Sequence, residues 1–347
     1  MIPLKELCLR LSRVKTELGR DGLKALYVSD PRNVYYLTGL DTGCVLITKK
    51  TESFFMKELY LKIHGRRLHS DKFPYSVYKL DSDSLKRKVR ELRIRELAAD
   101  DRRSVALKGL RKQFGVRVKV SGVVESVRKI KSPYEFKQIE KSAEIARKGM
   151  KKAYQVVGKG RRELDCVAEI EAVIRKSGSE SPPFQEGMLL ASGSKSANIH
   201  ARAGLEKIRR GLVVVDLGAK WEGYYSDMTR TIPVGRLTKR EKDLLEFIQD
   251  LELNAIDRVD VGTKAADIHG FVEEELCRRG FRFYHSTGHG VGLQIHENPN
   301  LGKKSRDVLQ EGMVFTVEPG IYIPGKFGVR FEDMVYLSKK GPRILTK

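Results

Sequence analysis

What most restricts the fold of this 347-residue chain is a repetition in its last two-thirds. Apolar residues recur at helical spacing over about 134–157 and 162–177, then give way to strand-like runs and a pair of acids, Asp216 in VVVDLGAK and Asp227 in YYSDMTRT. The order then returns: helical patterns over about 239–258 and 264–279, strand-like runs, and a second pair, Glu318 in FTVEPG and Glu332 in VRFEDMV. Short phrases echo as well. Val157-Gly158 before Leu164 and Lys176-Ser-Gly178 are answered by Val261-Gly262 before Ile268 and Arg279-Gly280. This order implies two related half-domains, each giving one acidic hairpin to a shared cleft.

A chain of this length exceeds the usual size of one core, so two domains are expected. The boundary falls at Lys129-Ile-Lys-Ser-Pro133, where a proline opens a long amphipathic stretch, giving domains over 1–128 and 129–347. In the first domain, Leu4, Leu7, Leu11, Val14 and Leu18 mark an amphipathic helix with Lys and Arg on its other face. Leu23 to Val28 reads as a strand closed by the turn-forming Ser29-Asp-Pro-Arg-Asn33, and Val34 to Gly39 and Cys44 to Thr48 read as further strands. Mixed helices and strands throughout place the chain in the α+β class.

Several function classes drop out on composition. No apolar run approaches the ~18 residues of a membrane span; Gly211-Leu-Val-Val-Val reads as a buried strand, and no membrane partner is expected. Cys8, Cys44, Cys166 and Cys277 lack CxxC spacing and read as the reduced, buried thiols of a cytoplasmic protein. The net charge of +22 is uneven: residues 1–130 hold 30 Lys+Arg against 15 Asp+Glu, and residues 131–347 hold 37 against 30. Runs such as Lys86-Arg-Lys-Val-Arg90 and Arg111 to Lys119 lack the interleaved aromatics of single-strand binders, so a solvated basic face is expected rather than a nucleic-acid site.

The acids carry the chemistry. Asp216 and Asp227 flank the candidate turn Ala219 to Gly223, and symmetric pairing would set both carboxylates on one side as a cross-strand pair. Glu318 and Glu332 repeat this about the turn-like Pro324-Gly-Lys. Four carboxylates in one cleft stay ionised only around about two divalent cations. Between the two pairs lies His285-Ser-Thr-Gly-His289-Gly-Val-Gly-Leu-Gln-Ile-His296-Glu297, three imidazoles among glycines that let backbone crowd a centre. One imidazole with four carboxylates suits hard or borderline divalent ions.

With these motifs in order, the chain resembles the pita-bread metallopeptidases that cleave Xaa-Pro bonds, the Xaa-Pro dipeptidases and aminopeptidases. The resemblance runs over nearly the whole chain and is strongest from about residue 131. It implies a creatinase-like α/β N-terminal domain and a pseudo-symmetric catalytic domain with a curved antiparallel sheet flanked by helices. It also implies the metal ligands Asp216, Asp227, His289, Glu318 and Glu332, holding two divalent ions, Mn or Co before Zn or Fe. His200, in Ser196-Ala-Asn-Ile-His-Ala, would face substrate; His285 and His296 would move protons and stabilise the tetrahedral intermediate; Tyr322 and Arg330 match further active-site positions. A hydroxide bridging the metals would attack the carbonyl before proline, most readily in dipeptides, in an enzyme that forms homodimers. An aminopeptidase P acting on longer peptides is the alternative, and a non-catalytic binding member of the fold the alternative of another class. His64, His69 and His269 match nothing in the family and read as surface or structural. Asp41 and the Arg202-to-Arg210 segment are candidates for reading a dipeptide's free carboxylate.

Overall fold

A computed structural model describes every residue except Met1, Ser82, Pro183, Gln185 and Glu186. It divides into two compact units, Met1–Arg128 and Lys129–Lys347.

The first unit runs α1 (Leu4–Arg20), β1 (Ala25–Val28), α2 (Pro31–Thr38), β2 (Cys44–Thr48), β3 (Glu52–Met56), α3 (Glu58–Leu68), β4 (Ser76–Lys79), α4 (Ser84–Glu91), β5 (Glu96–Ala99), α5 (Ser104–Phe114), β6 (Arg117–Val120) and α6 (Val123–Lys129). Its sheet has the order β4-β3-β2-β1-β5-β6, antiparallel across β1, β2 and β3 and parallel elsewhere. The face of α1 carrying Leu7, Leu11, Val14 and Leu18 is buried, as its spacing requires. Leu85 and Val89 of α4 share a core with Leu107 and Phe114 of α5 and with Leu97 and Val118 of the sheet. The cations Arg87, Arg90, Lys108 and Lys112 stay exposed on these two helices.

Residues 34–39 correct the strand expected there: 34–38 lie in α2 and Gly39 is its C-cap. Asp30 caps the helix by accepting from Arg32 N, Pro31 occupies the first turn, and Gly39 closes it at φ 75°. This is the Pro-in, Gly-out signature of a short helix, and it outweighs the β-branched and aromatic content of Val34, Tyr35 and Tyr36.

The second unit runs α7 (Pro133–Val156), α8 (Glu163–Lys176), β7 (Leu189–Ser192), a 3-10 turn (Gly193–Ala197), β8 (Gly211–Trp221), β9 (Tyr224–Val234), α9 (Lys239–Ile256) and α10 (Ala265–Arg278). Then follow β10 (His289–Gly290), β11 (Glu297–Asn300), β12 (Val314–Val317), β13 (Gly320–Ile323), β14 (Phe327–Arg330), β15 (Asp333–Ser338) and β16 (Gly341–Ile344). The leading helix of each pair starts with the same device: Ser132 and Glu135 form a capping box for α7, Thr238 and Glu241 one for α9. Each half has its own core. Ile145, Met150 and Ile170 pack on Val213, Val215 and Leu217, and Ile248, Ile268 and Val272 pack with Phe315, Val317 and Val335.

The sheets are β7-β8-β9, β11-β10-β12-β15-β16 and the hairpin β13-β14. A bridge between Thr229 and Glu332 joins the two acidic hairpins. No helix among the described residues is long and apolar enough to cross a membrane.

Beside this junction a buried acid stands apart from the five expected ligands. Burial, and then the charge of Asp333, pushes the Glu252 carboxyl up to about 9. A carboxyl raised in the folded state stabilises the fold below its unfolded pKa, and that contribution is lost as pH rises through about 9. Glu252→Gln should therefore leave the melting temperature unchanged at pH 4 and raise it increasingly toward pH 9, by roughly 2–4 °C per kcal/mol recovered. A flat difference across pH in a thermal melt series would remove the ionisation argument.

Candidate metal centre

Each acid reaches the centre by strand register. In the first hairpin Trp221 pairs with Tyr224, so the turn is the two residues Glu222 and Gly223, at φ 46° and 83°, a type I′ geometry. This corrects the expected directly opposed pair: Asp216 sits opposite Thr229, and Asp227 opposite Gly218. The two aspartates are diagonal neighbours, displaced by two residues, and period-two alternation still sends both to one face. In the second hairpin one register runs through both segments, with Val317 opposite Asp333 and Gly320 opposite Arg330. Glu318 and Glu332 occupy the break between them.

His289 enters from β10, where Gly288 and Gly290 permit the approach. A Cβ at Gly288 would stand 1.9 Å from the Thr316 carbonyl oxygen, and one at Gly290 2.2 Å from that of Asn298. His289 N donates to Thr316 Oγ1, and its Nδ1 lies 3.2 Å from Gly290 O. That bond holds the proton on Nδ1 and leaves Nε2 facing Asp227 Oδ2 at 3.8 Å and Glu318 Oε1 at 3.5 Å. Ligand atoms of Asp227, His289 and Glu332, all buried, lie within 4.8 Å of one another.

The electrostatics match a cation site. Burial, then neighbouring carboxylates, hold Asp227 and Glu332 well above the ordinary carboxylate range, and burial pushes Glu318 up to about 7. Burial, and then His296, lowers His289 to about 3, so its imidazole is neutral and free to coordinate. The residues fit divalent ions on a further count: Asp216 Oδ1 and Asp227 Oδ1 are buried with no hydrogen-bond partner among the described residues. Unpartnered buried oxygens of this kind are costly unless a ligand satisfies them.

Around the cluster runs a continuous polar network. Arg330 Nη2 donates to Asp216 Oδ2 at 2.6 Å, its Nε to Thr229 Oγ1 and its Nη1 to Tyr322 Oη at 3.1 Å. Tyr322 Oη in turn lies 2.9 Å from His285 Nε2, and His285 Nδ1 lies 2.8 Å from Ser286 O. The consistent proton assignment has Tyr322 donating to His285, whose other nitrogen donates to the carbonyl. Burial, then Arg330, lowers His285 to about 4. His296 is exposed, with its ring centroid 4.2 Å from that of His289. His200 is exposed beside them, close enough to disfavour protonation of His285 and His296.

The structure thus brings together Asp216, Asp227, His289, Glu318, Glu332, His285, His296, His200, Tyr322 and Arg330. Of the candidate carboxylate readers, Arg210 pairs with Glu241, Arg202 donates to Gly187 O, and Asp41 is exposed in the first unit. Sequence reading missed the supports. Thr229 donates to Glu332 Oε2 at 2.7 Å, Asp227 N reaches Met334 Sδ, and Thr287 O accepts Glu318 N at 2.7 Å. His269, expected to be surface or structural, is buried against Phe283 with its Nδ1 3.1 Å from Thr287 Oγ1. Thr229 was open to discovery, since it stands two residues from Asp227 and so on the same strand face.

One imidazole and four carboxylates, all buried but the partly buried Glu318, meet between strands of two related half-domains and form a candidate metal centre. Residues 137–339 match the metallopeptidase family M24, and residues 10–130 match the creatinase/prolidase N-terminal domain. The chain is similar to the Xaa-Pro dipeptidase of Pyrococcus horikoshii, at 32% identity over 97% of each sequence. Among solved structures it resembles an Xaa-Pro dipeptidase from Bacillus anthracis, with TM-score 0.91 at 29% identity over 98% of both chains. It also resembles an X-Pro aminopeptidase from Thermotoga maritima, with TM-score 0.84 at 27% identity over 97% of both. The protein belongs to metallopeptidase family M24, whose members work with divalent metal ions.

Proposed function

We propose that this protein hydrolyses the bond between an N-terminal residue and proline in Xaa-Pro dipeptides. Asp216, Asp227, His289, Glu318 and Glu332 would hold two divalent ions, Mn or Co. The observation that supports this reading is the cluster of Asp227, His289 and Glu332, with Glu318 Oε1 3.5 Å from His289 Nε2 and Asp216 close enough to act on Asp227, in which Asp216 Oδ1 and Asp227 Oδ1 have no hydrogen-bond partner among the described residues. The named relatives supply the substrate class.

Divalent ions bound there lower the pKa of water toward ~7 and polarise a carbonyl. Glu318 takes the proton of the attacking water and passes it to the departing imide nitrogen of proline. His296, exposed at the rim, donates to the oxygen that gains charge as the carbonyl carbon becomes tetrahedral. His285 accepts from Tyr322 at Nε2 and donates from Nδ1 to Ser286 O, so Arg330, Tyr322 and His285 form a fixed polar chain that supports this proton transfer. His200 faces substrate from the Ser192–Gly204 segment. Proline lacks an N–H and restricts the residue before it, so recognition rests on a shaped pocket rather than on strand pairing.

A matched pair tests the reading: a Met-Pro dipeptide against the same sequence extended by two residues, each with Mn or Co and with chelator. Cleavage of the dipeptide alone is the expected result, and cleavage of the longer peptide instead would make the protein an aminopeptidase P. The four cysteines are free, Cys44 and Cys166 buried as expected and Cys8 and Cys277 exposed on their helices instead, and free thiols favour a cytoplasmic setting. A homodimer is the expected assembly, and sedimentation checks it.

A further inference from the structure

The Ser192–Gly204 segment has little regular structure beyond the turn at Gly193–Ala197, yet it carries Ile199 and His200 to the centre. One carboxylate holds both of its ends. Glu163, the first residue of α8, is fully buried. Its Oε1 accepts from Ser192 N at 2.8 Å and from Ser192 Oγ at 2.7 Å. Its Oε2 accepts from Lys195 Nζ at 2.8 Å and from Gly204 N at 3.0 Å. Leu164 N to Gly204 O and Glu163 N to Glu206 O seal the far end in backbone.

Midway, the segment is tied to β14. Gly328 N donates to Ser196 Oγ at 2.8 Å, and a Cβ at Gly328 would stand 2.0 Å from Ser196 O. Two residues along the strand, Arg330 Nη1 reaches Ile199 O at 3.4 Å, with the same guanidinium on Asp216. The segment is therefore a closed arch: its feet stand on Glu163, and its crown rests on the strand that leads to Glu332.

We propose that Glu163 is a positioning residue for the reaction, a clasp that fixes the arch and through it the placing of His200 against substrate. This rests on the reading of His200 as substrate-facing. The physical ground is that all four hydrogen bonds to Glu163 come from donors, so an ionised carboxylate satisfies them and an amide does not. In Glu163→Gln the NH2 group meets N–H donors on one side, and one foot of the arch is released. Loss of fixed geometry well away from the reacting atoms is enough to cost ~10²-fold in rate.

The test uses the full chain with Mn added. Trypsin probes the arch at Lys195 and Arg202, and Met-Pro turnover gives KM and kcat. Glu163→Gln is expected to keep its metal content, to be cut in the arch at least ~10-fold faster than the parent, and to raise KM at least ~10-fold. Added to His200→Ala, it should cost nothing further in turnover, because both changes act through one element. Unchanged proteolysis, or losses that multiply with those of His200→Ala, would overturn the proposal. Should Glu163→Gln fail to fold, Lys195→Met removes one of the four bonds, and faster cutting after Arg202 by ~3-fold supports the clasp while no change overturns it. Proteolysis does not depend on the peptide chosen, so failure of the Xaa-Pro reading stays distinguishable from failure of the clasp.

Discussion

Replacing Asp227 with asparagine is expected to remove metal from the protein and to cut hydrolysis at least ~10³-fold, since several kcal/mol of transition-state stabilisation go with the ions at ~1.4 kcal/mol per factor of ten. The signature lies in stability. Without added metal, Asp227 is a buried carboxylate among others, held well above its ordinary range by burial and by Glu332 and Asp216. Deleting its charge should raise the melting temperature of chelator-treated protein. With Mn added, the parent gains ~2.7 kcal/mol at a hundredfold excess over Kd, and the variant gains little. The order of the two proteins on a thermal melt thus reverses with metal.

The pH dependence follows with a definite sign. Asp227, Glu332 and Glu318 are raised, so their contribution to the chelated fold is present at low pH and fades as pH rises, through about 7 for Glu318. Chelated parent protein should therefore lose stability between pH 5 and 8, where metal binding becomes stronger. If the chelated parent and variant melt together at every pH, the carboxylates do not share one buried site.

His296→Ala is expected to separate binding of metal from use of it. The His296 ring packs edge-on against His289, 4.2 Å between centroids, while the imidazole of His289 faces the carboxylates. Metal content should hold, KM should change little, and kcat should fall ~10²–10³-fold, the range for removing a donor to a developing oxyanion. An unchanged kcat would take His296 out of the reaction. A lost metal would make it a support of His289 instead.

The candidate ligands could be picked out because the four acids stand within or directly beside apolar strand runs, a conflict that local propensity does not explain. Asp216 interrupts Val213, Val214 and Val215; Glu318 follows Val317. The four long helices of the second unit were legible from periodicity, and the first of them also from the proline at its start. The helix at 31–38 was not, because its aromatic and β-branched residues face a tertiary core that outweighs their strand preference. The diagonal register of the aspartates depends on turn length: a two-residue loop at Glu222 and Gly223 shifts the pairing by two from the symmetric guess. Glu163 and Met334 stayed hidden for another reason. Their contacts join segments apart in the chain, and a glutamate opening a helix or a methionine in a strand has no local mark that sets it aside.

The crowding at Gly288 and Gly290 bears on how this motif can drift. Every single-base change that replaces a glycine codon with a coding one brings at least a Cβ, and at these positions that atom would fall 1.9 Å or 2.2 Å from a carbonyl oxygen. The two glycines are therefore held by the shape of the backbone, whether or not an ion is ever bound nearby. On the proposed reading, the four acids are kept chiefly by the ions they would hold. A descendant that abandoned hydrolysis would shed the acids first and keep the glycines, so the glycines in a distant chain testify to ancestry and the acids to occupation.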